Sequence, residues 1–395
     1  MAILHVIPTL EPTGGGVPAV VAGLASAQHG LGQTVRIASY AGPDTPSAMA
    51  LLHEQRGGDE VDADFCEATG LAAARPGGAM QRWLGPRIEA ADVVHLHGVW
   101  EPLLLSAAAL CRRTKTPYLL APHGMLDPWS LTQKKLKKRV FLTLFHRRML
   151  NGAAALHVLN EDEGRLIEPL GLRCPPVTLP NGIDFDQFDP PPEPGRFRSA
   201  NRAFLQDDPY MLFMSRLHYK KGLDVLIDAF GAYRRSGGRA KLIVAGPDGG
   251  YGSTLDDRIA AQGLGEAVRA IGPVYGVQKL EMLRDAAAFV LPSRQEGFSM
   301  AITEAMAMGL PVVITPECHF PEVAEQGAGL IVERDPARFA EAFARLDADP
   351  DAATALGASA RRLVADRYTW PAIAARSLSI YRDLTPSRSH SEAED

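Results

Sequence analysis

The sequence predicts an α/β protein of two domains, each built on a parallel sheet. Three observations support this. Short apolar runs alternate with helix-length amphipathic segments almost from end to end, which is the pattern of βαβ units. The alternation restarts after a proline-rich stretch near the middle. The chain has 395 residues, more than the roughly 250 to 300 at which a single hydrophobic core stops growing.

Composition sets further bounds. With 46% hydrophobic and 22% charged residues the chain reads as an ordinary globular enzyme. A net charge of −5 gives no global basic field, so nucleic acid is not an expected partner. Cys66, Cys111, Cys174 and Cys318 are widely spaced, with no C-x-x-C, which fits a reduced, cytoplasmic setting. The opening segment lacks the basic flank and cleavage site of a signal peptide, and no continuously apolar stretch reaches about 18 residues. Neither export by that route nor a membrane span is expected.

In the first half, strands are expected over 3–8, 34–39, 92–97, 117–122 and 154–159, with helices over 17–30 and 131–150 filling the gaps. The stretch from Asp189 to Gly195, with four prolines, disfavours both helix and central strand and is expected to be the linker. Second-half strands are expected over 210–215, 241–246, 268–272, 288–292 and 311–315. The polar residues 386–395 are expected to be a disordered tail. Ligands of such sheets bind beyond the carboxyl ends of the strands, so facing domains are expected to share a cleft.

The densest motif is Pro292-Ser293-Arg294-Gln295-Glu296-Gly297-Phe298-Ser299-Met300, followed by Glu304 and Gly309-Leu310-Pro311. It starts where an apolar run ends and passes straight into a helix. Gly297, Phe298, Ser299 and Met300 would present amide hydrogens at the positive helix end, a favourable place for a phosphate. A second motif, Ser215-Arg216-Leu217-His218-Tyr219-Lys220-Lys221-Gly222, again follows an apolar run and precedes a helix. Its simplest reading is a solvated basic loop; its functional reading is a set of cations for an anionic ligand.

Together these segments resemble glycosyltransferase family 4, the group 1 glycosyl transferases, whose members carry two glutamates seven residues apart in this strand–loop–helix context. The resemblance implies a GT-B fold: residues 1–184 as an acceptor-binding domain, 185–368 as a nucleotide-sugar-binding domain, and 369–385 as a helix returning to the first. It implies that Glu296 binds hydroxyls of the donor sugar and Glu304 those of the ribose, since carboxylates accept from paired alcohols. It also implies that Arg216 and Lys221 neutralise the leaving diphosphate, with Lys220 the lesser candidate.

Fixed cations would then replace a divalent metal. The two Asp-x-Asp strings, Asp62-Ala63-Asp64 and Asp347-Ala348-Asp349, follow no convincing core strand and read as surface acids. No metal and no cofactor beyond the nucleotide sugar as co-substrate are expected.

In the first half, Gly14-Gly15-Gly16 opens a helix after the first strand; the family places its glycine-rich loop here, making Gly15 and Gly16 donor-binding candidates. A plain flexible turn is the other reading, as this is not G-x-G-x-x-G. Strand alternation puts His95 and His97 on one face. With no cysteine nearby, zinc is not expected there, and His95 reads as a satisfied core histidine. The family has a histidine facing the reacting sugar at the end of the matching strand, which makes His123 a catalytic candidate. His97-Gly98-Val99-Trp100-Glu101-Pro102 and Pro122-His123-Gly124-Met125-Leu126-Asp127-Pro128-Trp129 are similar to segments of the subset that builds bacterial surface polysaccharides.

Leu131–Leu150 carries Lys134, Lys135, Lys137, Lys138, Arg139, Arg147 and Arg148 without one acid, and Leu136, Val140 and Leu144 recur every four residues. Either that row docks on the sheet, or the helix also meets an anionic membrane or a pyrophosphate-linked acceptor. Asn181-Gly182-Ile183-Asp184 and Tyr368-Thr369-Trp370 resemble the family's two crossings between domains.

The resulting expectation is a retaining, metal-independent hexosyltransferase using a nucleotide diphosphate donor and a glycan or lipid-linked acceptor, cytoplasmic or peripheral on the inner membrane face. The rivals are a 2-epimerase of the same fold, a catalytically silent sugar-nucleotide sensor, and a nicotinamide-dependent oxidoreductase. Against the last stands the missing G-x-G-x-x-G.

Overall fold

A computed structural model of the chain describes residues 1–11, 16–42, 44–132 and 135–385. It divides into two compact units, Met1–Gly182 with the segment from Trp370 onward, and Ile183–Thr369. The first unit is built on seven parallel strands: β1 (Ala2–Val6), β2 (Thr34–Tyr40), β3 (Asp62–Cys66), β4 (Val93–His97), β5 (Tyr118–Ala121), β6 (Ala155–Val158) and β7 (Pro176–Thr178). Their order is β3-β2-β1-β4-β5-β6-β7. The second has β8 (Tyr210–Met214), β9 (Lys241–Ala245), β10 (Val268–Gly272), β11 (Ala288–Leu291), β12 (Val312–Ile314) and β13 (Gly329–Ile331), in the order β10-β9-β8-β11-β12-β13.

Every expected strand is present. The central ones, such as β4, β8 and β11, are buried along their whole length, because helices cover both faces of a parallel sheet. Three strands were not foreseen, and all three are sheet edges: β3, β7 and β13. Edge strands are kept short or polar, so they lack the continuous apolar run that marks an interior strand. Helices on both faces of the first sheet give two large core clusters, one around Leu96, Leu104 and Leu120 and one around Ile37, Val93 and Tyr381, with a small third around Leu24, Leu179 and Ile373. In the second unit a single core gathers Phe213, Phe230, Phe289, Phe339 and Phe343.

The proline-rich stretch expected as a linker lies inside the second unit, where Arg361 pairs with Asp189 at 3.1 Å and the Gly195 amide donates to Asp285 at 2.5 Å. The chain instead passes between units at Gly182 and Thr369. The C-terminal helix Trp370–Leu384 packs on the helix Gly16–Gly30 of the first unit. The Trp370 ring occupies the space that a side chain at Gly23 or Gly182 would need. The expected tail, 386–395, lies outside the described residues.

Leu131–Leu150 is not one uniform helix. It comprises the end of the helix Pro128–Thr132, then Lys135–Phe141, a π-helical turn at Leu142–His146, and Arg147–Asn151. The extra residue of the π turn rotates the face presented by the next helical turn, so spacing measured on a regular helix does not carry through.

Candidate functional site

In the second sheet β8 and β11 are neighbours, but the chain leaves β8 towards β9 and β11 towards β12. Such a reversal opens a crevice beyond the carboxyl ends of the two strands. Both sequence motifs of this half emerge there. The loop after β8 carries Arg216 and the single turn Tyr219–Lys221; that after β11 carries Glu296 and enters the helix Met300–Ala307.

The two loops are stitched backbone to backbone. The Arg294 amide donates to the Lys220 carbonyl at 2.6 Å, and the Ser293 hydroxyl donates to the same oxygen at 3.0 Å. Gly222 sits at φ 70°, and a Cβ there would collide with the Pro292 carbonyl, so only glycine lets the loops close. Arg294 adds a brace, donating to both oxygens of Asp224 at 2.8 and 2.7 Å while lying 4.0 Å from the Tyr219 ring centroid. Burial opposes ionisation of Asp224, but the paired guanidinium holds its carboxyl below the usual range.

This joint brings Lys221 onto Glu296. The ammonium donates to both carboxylate oxygens, at 2.6 and 2.8 Å, and Glu296 is buried. The Glu296 amide donates to the Glu317 carbonyl at 3.0 Å, which ties it to the loop after β12. Beneath it, burial first and then the Glu296 charge push the Cys318 thiol up to about 12, so that thiol is inert at neutral pH.

Gly297 is exposed at the mouth of the helix. Ser299 occupies the cap position and Met300 opens the helix Met300–Ala307. Phe298 has a structural contact as well, its ring 5.7 Å from that of Phe320 and 5.9 Å from that of Tyr368. Glu304, two turns beyond Glu296, accepts from the Lys279 ammonium at 2.9 Å. Lys279, on the helix Gly276–Asp285, had no motif to single it out.

Arg216 is exposed and has no hydrogen bond or ion pair among the described residues. Its stem lies on Gly249, where a Cβ would come within 2.8 Å of the Arg216 Cγ. Gly249 belongs to the loop after β9, in which Asp248 accepts from the amides of Gly250, Tyr251 and Gly252 at 2.8 to 2.9 Å. Those bonds hold the Asp248 carboxyl below its ordinary value. This loop was not among the expected site elements, although Pro247-Asp248-Gly249-Gly250-Tyr251-Gly252 after a strand is a turn signature.

The Asp-x-Asp strings have structural partners. Asp62 pairs with Arg36 at 3.2 Å and Asp64 with Arg87 at 2.9 Å; Asp347 accepts from the Tyr233 hydroxyl at 2.8 Å, and Asp349 caps the helix Pro350–Arg367.

The first unit has the same reversal, between β1 and β4. Register sets His5 beside His95, and the strand ends lead to a chain of five imidazoles, four of them buried and the last, His123, half-buried. His157 bonds the Leu179 carbonyl at 2.6 Å and His95 at 3.0 Å; His95 bonds the Tyr381 hydroxyl at 2.7 Å. Gln28 bonds Tyr381 at 3.2 Å and His5 at 2.7 Å. His5 bonds His97 at 2.9 Å, which bonds His123 at 3.1 Å. Desolvation lowers all five, to about 4 for His5 and His157 and about 3 for His123, with His95 and His97 well below the ordinary value.

Nitrogens of His5, His95 and His97 lie within 4.8 Å of one another, near enough for a shared metal ion. Both nitrogens of each ring already take part in hydrogen bonds, so the geometry is that of a hydrogen-bonded chain. His123 ends that chain at φ 51°, in a turn held by buried Glu163, which accepts from the Gly124 amide at 2.9 Å. Gly16 opens the helix Gly16–Gly30, whereas Gly15 lies outside the described residues.

Comparison with known proteins agrees with this architecture. A crystal structure of an Anabaena protein in complex with UDP superposes with a TM-score of 0.76 at 17% identity, over 97% of this chain and 100% of that one. WaaG, a glycosyltransferase involved in lipopolysaccharide biosynthesis, gives 0.63 at 16% over 96% and 99%. At such identities the likeness shows the fold, which is GT-B.

The sequence model of the glycosyl transferases group 1 matches residues 197–363, and that of the glycosyl transferase 4-like domain matches 15–182. A Mycobacterium tuberculosis GDP-mannose-dependent alpha-(1-6)-phosphatidylinositol monomannoside mannosyltransferase is 32% identical over 353 residues, 85% of this chain and 89% of the relative. A Xanthomonas campestris GDP-mannose:cellobiosyl-diphosphopolyprenol alpha-mannosyltransferase is 28% identical over 96% of both chains. The chain belongs to glycosyltransferase family 4, the group 1 glycosyl transferases, and is a glycosyltransferase.

Proposed function

We propose that this enzyme moves a hexose from a nucleoside diphosphate to a hydroxyl of a lipid-linked or glycan acceptor, with retention of configuration and without a divalent metal. The observation that carries this reading is the buried Lys221–Glu296 pair at the switch point of the second sheet, beside the start of a helix. A cation next to a helix N-terminus suits a diphosphate, and a carboxylate next to it suits sugar hydroxyls.

In this reading Arg216 and Lys221 neutralise the leaving diphosphate, Glu296 holds the sugar and Glu304 the ribose. The amides from Gly297 to Met300 are assigned to the phosphates, and Gly15 and Gly16 remain the donor-binding candidates of the first half. His123 accepts a hydrogen bond from a hydroxyl of the reacting sugar. The bond from the anomeric carbon to the phosphate oxygen breaks while one forms to the acceptor oxygen on the same face. The acceptor proton passes to the departing phosphate.

The relatives' names point to GDP-mannose as the donor and to acceptors carried on a lipid through phosphate. An anionic membrane is consistent with this. Leu136, Val140, Leu144 and Phe145 are 79%, 43%, 66% and 47% exposed within the basic segment, so that row does not dock on the sheet. The proposed setting is the cytoplasmic face of the membrane.

The test is transfer from labelled GDP-mannose to a diphosphopolyprenol-linked acceptor, with and without chelator, with the product's anomeric configuration read by NMR. We expect α-mannosyl product in both arms. Activity lost in chelator and restored by manganese would refute the metal-independent mechanism, and release of an epimerised sugar would favour the epimerase.

A further inference from the structure

We propose that Gln28, Tyr381 and the buried histidines are positioning residues that fix His123 as a hydrogen-bond acceptor at Nδ1, through a one-way chain anchored on the Leu179 carbonyl. This rests on the reading of His123 as a contact of the reacting sugar.

The direction follows from the donor and acceptor inventory, one link at a time. A carbonyl accepts only, so Nε2 of His157 carries the proton that meets Leu179. In a neutral ring the other nitrogen then accepts, so His95 must donate from Nε2 to Nδ1 of His157. That leaves Nδ1 of His95 as an acceptor, and the Tyr381 hydroxyl donates to it.

A hydroxyl has one proton, so Tyr381 can only accept from its other neighbour. The Gln28 atom beside it is therefore the amide nitrogen, whose second hydrogen goes to the Ser377 hydroxyl at 2.8 Å. Ser377 in turn donates to the Ala374 carbonyl at 2.7 Å. The Gln28 amide thus has one orientation, with its oxygen towards His5.

The second arm is set by that oxygen. His5 donates from Nε2 to Gln28 and accepts at Nδ1; His97 donates from Nε2 to His5 and accepts at Nδ1; His123 donates from Nε2 to His97. All five rings are the same tautomer. Nδ1 of His123 is left as a lone pair with no partner among the described residues. It suits a hydroxyl donor, the group a sugar presents, and not an ether or a carbonyl. A ring held neutral in this way contributes a fixed acceptor and no base.

Turning the Gln28 amide reverses every link after it, so a change two rings away alters the nitrogen offered to substrate. Replacing Gln28 by methionine removes the acceptor for His5 while keeping the length of the side chain. Tyr381→Phe removes one partner of the Gln28 amide nitrogen and leaves the other, Ser377, in place, so the second arm keeps its direction.

The experiment is long-range 1H–15N NMR on histidine-labelled protein, with ring assignments from single His→Asn variants. We expect five Nε2–H tautomers in the wild-type chain and an Nδ1–H population at His123 in Gln28→Met but not in Tyr381→Phe. Transfer should fall about tenfold in Gln28→Met, the effect of one mispaired polar contact, with nucleotide diphosphate affinity unchanged. An Nδ1–H or cationic His123 in the wild type, or a His123 tautomer unmoved in Gln28→Met, overturns the proposal. A shifted tautomer with an unchanged rate would uphold the chain and overturn the reading of His123 as a sugar contact.

Discussion

Glu296 and Glu304 are two turns apart, yet they have different company. Glu296 is buried on Lys221, while Glu304 lies nearer the surface on Lys279. If Glu296 grips the sugar and Glu304 the ribose, free nucleoside diphosphate separates them. Glu304→Gln should weaken binding of GDP, whereas Glu296→Gln should bind it nearly normally and lose transfer. A charged hydrogen bond contributes about 1.5 to 3 kcal/mol, so each loss should be about ten- to a hundredfold for its own ligand. Calorimetry on the two variants checks this, and the reverse pattern would reassign the roles. Glu296 and Glu304 were legible in the sequence because their spacing is local. Lys279 and Arg294 as a brace were not, because each acquires its meaning from a partner on another element, Glu304 and Asp224.

The basic segment illustrates the limit of periodicity at the scale of an element. An apolar row at every fourth residue is the usual mark of a docked helix face, but here Leu136 and Leu144 point to solvent. Lys138 turns to the Ser130 carbonyl, to which it donates at 2.7 Å. Apolar insertion together with cationic attraction is the physics of an interfacial helix. Leu136→Ser with Leu144→Ser should reduce co-sedimentation with vesicles containing anionic lipid, leaving transfer to a short water-soluble acceptor unaffected. Unchanged co-sedimentation would mean that this row does not enter a membrane.

Across the whole chain, the buried imidazoles make stability depend on pH. A ring whose folded pKa lies below its unfolded value near 6.5 binds more protons when unfolded, so stability falls as pH drops below that value. His5, His123 and His157, at about 4, about 3 and about 4, should each cost about 1 kcal/mol between pH 7 and 5.5, and His95 and His97 act in the same direction. The carboxylates held low, such as Asp224, lose their contribution only below their ordinary range and leave this window alone. Thermal unfolding should therefore move to clearly lower temperature at pH 5.5 than at pH 7, and His157→Asn should flatten the dependence. An equal melting temperature at the two pH values would contradict the buried, neutral state.

What the sequence determined by itself was whatever is encoded within one strand–loop–helix unit. That includes the interior strands, the order of elements, the loops bearing Arg216, Lys221, Glu296 and Glu304, and the family. Each is set by residues within about ten positions of one another, where hydrophobic period and turn chemistry act directly. Tertiary structure decided which loops meet. Lys221 and Glu296 are 75 positions apart, His5 and His97 are 92, and Gln28 and Tyr381 are 353. No local pattern specifies which strands become neighbours, because sheet order is set by how helices cover both faces at once. The edge strands and the direction of the histidine chain both depend on that packing.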